Sequence, residues 1–91
     1  MERTYIVEES LFGDIFEDVI ILLADKSGEE IPKWRSYEID FAEYICPIQR
    51  YYVTLHEGPP EYPGKAIAYA LIDIFIEEEK EKKAEVFVKW E

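Results

Sequence analysis

Between Ala66 and Ile76 the chain runs eleven residues with a single charge, Asp73. No other stretch limits its folding so tightly. The run is too short to span a bilayer, so it must be buried within or between protein surfaces. Wound as a helix, it sets Ile67, Ala70, Leu71 and Ile74 on one face. Ala68, Tyr69, Ile72, Phe75 and Ile76 then cover most of the remainder. A helix lying on one sheet hides one stripe, so a helix apolar all round needs a second cover. The Ala-rich start and the pairs Glu78–Lys82 and Glu79–Lys83, at i,i+4 spacing, predict a helix over 65–83. A rival reading makes Ile72–Ile76 a strand and Glu77–Lys83 a hairpin loop, although that loop holds no Gly, Asn or Pro.

The rest of the chain punctuates more clearly. Residues 3–8 read as a first strand. Over 14–25, Ile15, Phe16, Val19, Ile20, Leu22 and Leu23 share a broad helical face, Asp14 and Glu17 resemble a capping box, and Gly28 suits the C-terminus. The alternative there is a hairpin turning at Asp25–Gly28. Residues 34–41 and 50–56 read as strands joined by an irregular connection at 43–47, and residues 84–90 as a closing strand. The prolines and glycines of 57–64 mark a loop. The order β-α-β-β-α-β predicts an α+β domain: an antiparallel sheet of about four strands with two helices on one face, the ferredoxin-like arrangement. If both doubtful helices are strands, a small all-β barrel or sandwich is expected instead.

Length and composition set the bounds. Ninety-one residues suit one compact domain spanning 1–91. With 48% apolar residues the chain is too rich in core formers to be disordered. One cysteine excludes an internal disulfide, and no secretory pattern follows Met1, so a cytoplasmic protein is expected. Asn is missing, Gln49 is the one Gln, and Glu and Lys abound, which points to a heat-adapted source.

The charge excludes more than it suggests. Twenty-one carboxylates against ten bases give a net charge of −11, which argues against direct DNA binding. With a single His and a single Cys, no two-histidine metal site and no Ser-His-Asp triad comes within reach except through His56. Cys46 and His56 could act as nucleophile and base only if folding brings them together. His56 with Glu57 and Glu61 follows no metal-ligand spacing rule. No phosphate-binding or dinucleotide motif is present, and no cofactor site is legible.

Three surfaces remain. Glu8, Glu9, Asp14, Glu17, Asp18 and Asp25 concentrate acid in the first quarter, where residues 1–25 hold seven acids and one base. On the helical wheel Asp14, Asp18 and Asp25 fall within about 40° of each other. Such a row could imitate phosphates and occupy the groove of a basic, nucleic-acid-binding protein. Lys33, Trp34, Arg35, Arg50, Tyr51 and Tyr52 combine bases with aromatics, as RNA-stacking sheets do, but without the glycine-and-aromatic signature of those sheets. Finally Tyr69, Ile72, Phe75 and Ile76, with Tyr62 from the loop, form a candidate apolar interface on the 65–76 helix. The expectation is a non-enzymatic, homodimeric interaction domain. A nucleic-acid-mimicking inhibitor and a small hydrolase or nuclease using Asp/Glu and a metal are the alternatives.

Overall fold

The computed structural model describes residues 1–8, 14–78 and 80–91, the side chains of residues 80 and 82 aside. It corrects the expected architecture. The described chain forms five antiparallel strands and one helix, not four strands and two helices: β1 (Glu2–Glu8), α1 (Ile15–Lys26), β2 (Ser36–Ile45), β3 (Ile48–His56), β4 (Ala66–Glu77) and β5 (Lys80–Lys89). The sheet order is β1-β5-β4-β3-β2. Strands β2 to β5 meander, and α1 carries the chain from one edge strand to the other. With five strands and one helix the ferredoxin-like arrangement fails, and because the sheet is single and open the all-β barrel or sandwich alternative holds only in being mostly sheet.

The decisive difference is β4. Residues 66–77 are extended and paired along both edges, with β3 on one side and β5 on the other. Ala68, Ala70, Ile72 and Ile74 point to one face and are buried, while Tyr69, Leu71, Asp73 and Phe75 point to the other. Both faces are apolar, so the strand's period of two is invisible in hydrophobicity and the run passes for a helix. Its side chains agree with the strand: Ile67, Ile72, Ile74 and Ile76 are β-branched, and Tyr69 and Phe75 are aromatic. The chain turns at Glu78, whose φ is 50°, and residues 80–83 of the Glu/Lys tract belong to β5 rather than to a helix end.

The first helix forms as expected. Asp14 caps it, its carboxylate accepting the Glu17 N–H at 3.2 Å. Glu17 and Asp18 in the first turn and Lys26 in the last complement the helix dipole. Ile15, Val19 and Leu23, at i, i+4 and i+8, are fully buried on the inner face of the sheet. They meet Ile72, Ile74, Val86 and Val88 in one core. Gly28 follows the helix with φ of 81°, a left-handed conformation that suits glycine. The turn brings Trp34 back, where its indole N–H donates to the Leu23 carbonyl at 3.0 Å.

Candidate interaction surface

α1 packs on β5 and β1, and its Phe16 reaches Tyr51 of β3 at 4.8 Å between ring centroids. All of this lies on one face. The other face of the sheet has no helix among the described residues. Pairing registers assemble that outer face row by row. One row runs Thr4, Phe87, Leu71, Tyr52 and Phe41 across all five strands. Phe41 and Tyr52 are in contact, their ring centroids 5.7 Å apart. Side chains of this row are exposed or half-buried, Phe41 at 56%. Phe75, Ile48 and Ile45 make a second apolar row towards one end.

Between these rows lies an ion pair. Arg50 grips Asp73 with two hydrogen bonds, Nε to Oδ1 at 2.7 Å and Nη2 to Oδ2 at 3.0 Å. The carboxylate, with the Tyr52 phenol beside it, pushes the guanidinium further above its already high pKa. This pair neutralises Asp73, with Glu85 and Glu43 beside it in the same row and apolar rows on either side. A β-bulge between Ile39 and Phe41 leaves Asp40 unmatched in β2. Thr54 donates its hydroxyl to the Asp40 carboxylate. Asp40 thereby borders a hollow of about 430 Å³ floored by Leu71, Tyr52 and Phe87 and edged by Tyr69 and Lys89.

The surfaces expected from sequence fare differently. Glu8 lies on the outer face of β1, whereas Asp14, Glu17, Asp18 and Asp25 lie on α1; Glu9 is outside the described residues. The six therefore do not form one row. Along α1, Ile21 stands between Asp18 and Asp25 and is 55% exposed, so an apolar side chain interrupts the carboxylates. Ile21 and Leu22 instead border a shallow groove with Ile6 and Val7 of β1.

The expected apolar interface divides across β4. Tyr69 and Phe75 are on the outer face, Ile72 is fully buried on the inner one, Ile76 packs against the core, and Tyr62 stands 79% exposed in the 57–64 loop. No helix carries them. Leu71, Phe87 and Phe41 were missed as surface residues, and Tyr52 was assigned to the basic-aromatic set instead. Their signal was available only once 66–77 was read with period two, because each belongs to a row defined by pairing.

The basic-aromatic set is likewise split: Trp34 and Tyr51 pack on the helix side, and Arg50 is committed to Asp73. Cys46, exposed at the β2–β3 turn, and His56 sit at opposite ends of β3, roughly 25–30 Å apart at strand rise. They cannot act on one substrate atom. Among the described residues no group of three or more His, Cys, Asp or Glu is placed to hold a metal ion, and no helix is long and apolar enough to cross a membrane. Comparison with protein-family profiles, with curated proteins and with solved structures finds no match to this chain.

Proposed function

We propose that this chain is a non-enzymatic protein-interaction domain whose working surface is the outer face of the sheet. One observation carries the reading: β4 is apolar on both faces, yet the helix covers only one of them. An antiparallel sheet with one wetted face normally alternates apolar with polar along each strand. Here Leu71, Phe75 and Phe87 break that alternation on the uncovered side, which costs solubility unless another surface covers them. Aromatic and aliphatic anchors among ion-paired and rim charges match the make-up of protein interfaces. A phosphate-mimicking role has less support, because Ile21 interrupts the helical carboxylates. A metal-dependent hydrolase has none from the placement of the carboxylates. The free, exposed Cys46 suits a reducing compartment, and we place the domain in the cytoplasm.

The test is capture from the native host's extract with the wild-type chain, with Leu71→Lys on the outer face and with Ile21→Lys on the helix. A bound protein, a differently tagged copy of the chain included, should be lost with Leu71→Lys and kept with Ile21→Lys. Binding that survives Leu71→Lys in a folded protein would remove this face from the function.

A further inference from the structure

Resting on that reading, the geometry points to a second copy of the chain as the occupant of the outer face, paired so that β5 of each copy lies over β2 of the other. Charge placement selects this arrangement. On the outer face the edge strands carry acid: Glu2 and Glu8 on β1, Glu38 and Glu43 on β2. Inside that rim lie three cations, Lys83 and Lys89 on β5 and Arg50 on β3, and two acids, Asp73 paired with Arg50 and Glu85 at 3.8 Å from Lys83, so Lys89 is the cation left for a partner. The face is thus an acidic frame around an apolar centre in which three bases meet two acids. A surface of that kind complements itself only if the frame of one copy meets the centre of the other.

Two sheets packed face to face align their strands within about 30° and lie about 10 Å apart. A two-fold axis across the strands would set Lys89 over Lys83 and Glu2 over Glu8. An axis along the strands above β4 would set Glu2 over Glu38 and Asp73 over its own copy. An axis along the strands between β3 and β4 avoids both clashes. It stacks β4 on β3 and β5 on β2 while keeping each row at its own height. Lys89 of one copy then faces Glu38 and Asp40 of the other, Phe87 faces Phe41, and Leu71 faces Tyr52. Asp73 faces a second Arg50, extending the ion pair across the interface. The same frame opposes Glu85 to Glu43, a like-charge contact that keeps the association weak.

Size agrees with a weak, specific dimer. Four overlapping strands about 4.8 Å apart and about seven residues deep give roughly 450 Å² of flat sheet, so two copies bury on the order of 900–1,200 Å² with side-chain relief. Interfaces at that small end correspond to a Kd of roughly 1–100 μM. Neither α1 nor the 57–64 loop takes the place, since they are committed elsewhere by Ile15, Val19 and Leu23 and by the Ser36 hydroxyl donating to the Gly58 carbonyl at 2.6 Å.

Sedimentation equilibrium from about 5 to 500 μM tests the pairing. The wild-type chain should dimerise within that range, and Lys89→Glu should weaken the dimer at least tenfold because both symmetric contacts become repulsive. Lys89→Glu combined with Glu38→Lys should return the Kd to within about threefold of wild type. A wild-type chain monomeric throughout overturns the second-copy occupant, and the Leu71-dependent capture above then decides separately whether the face binds another protein. A dimer indifferent to Lys89→Glu, or not rescued by the double swap, overturns the β5-over-β2 pairing. Circular dichroism and thermal melts of each variant, measured below the wild-type Kd, confirm that the monomer remains folded.

Discussion

Replacing Ile72 by alanine tests the central claim, that the apolar run is a strand clamped between the helix and two neighbouring strands. Ile72 has no exposed surface, and its direct cross-strand neighbours are Tyr51 on β3 and Val86 on β5. Alanine removes three carbon groups. Their transfer to water is worth about 2.4 kcal/mol, and an unrelaxed cavity on the order of 80 Å³ adds up to about 2 kcal/mol. Partial collapse of the space brings the expected loss to about 3–4 kcal/mol. A domain of this length has only about 5–13 kcal/mol to lose.

Urea unfolding followed by tryptophan fluorescence reads the loss directly. At a slope of about 1.3 kcal/mol per molar urea, the midpoint should fall by about 2.5 M with the slope unchanged. The thermal midpoint should fall by at least about 12 °C. Measurements at low micromolar concentration keep association out of the result. Ile21→Ala, at a helix position 55% exposed, serves as the control and should change stability by less than about 0.5 kcal/mol. An Ile72→Ala loss below about 1 kcal/mol would mean that the side chain is not enclosed by helix and sheet, and the strand assignment of 66–77 would fall with it.

Two further outcomes follow from single contacts. Asp14→Ala should cost about 1 kcal/mol in the same unfolding assay, because the Glu17 N–H loses its acceptor, while Asp14→Asn should retain most of it; equal losses for both would remove the cap from the account. His56→Phe should be neutral or stabilise by about 1 kcal/mol, since both ring nitrogens are buried without a hydrogen-bond partner and the nearest carboxylate oxygen, on Glu38, is 3.6 Å away. A loss above about 1 kcal/mol for His56→Phe would mean that the ring is held by a charge interaction with Glu38 after all.

The residues make plain how far local chemistry reaches. Asp14, the Ile15–Val19–Leu23 stripe and Gly28 declare a helix, because a cap, a period near 3.6 and a left-handed stop all act within a few residues of each other. The Pro/Gly loop at 57–64 and the first strand, read at 3–8 and found at Glu2–Glu8, are legible for the same reason. Charge, too, is fixed by composition: a chain at −11 is not expected to bind DNA directly, whatever its fold.

What the tertiary structure alone decided is the conformation of 66–77, and with it the candidate site. An eleven-residue apolar run satisfies a buried helix and a two-sided central strand almost equally, so its own pattern holds no answer. The choice falls to partners distant in sequence. β3 and β5 pair with the run along both edges from Tyr69 to Phe75, and Arg50 reaches across from β3 to neutralise Asp73, the one charge the run contains. The same pairing gathers Phe41, Tyr52, Leu71 and Phe87 from four strands into one row. Spacing along the chain says nothing of that row, because it exists only where registers between strands have been set.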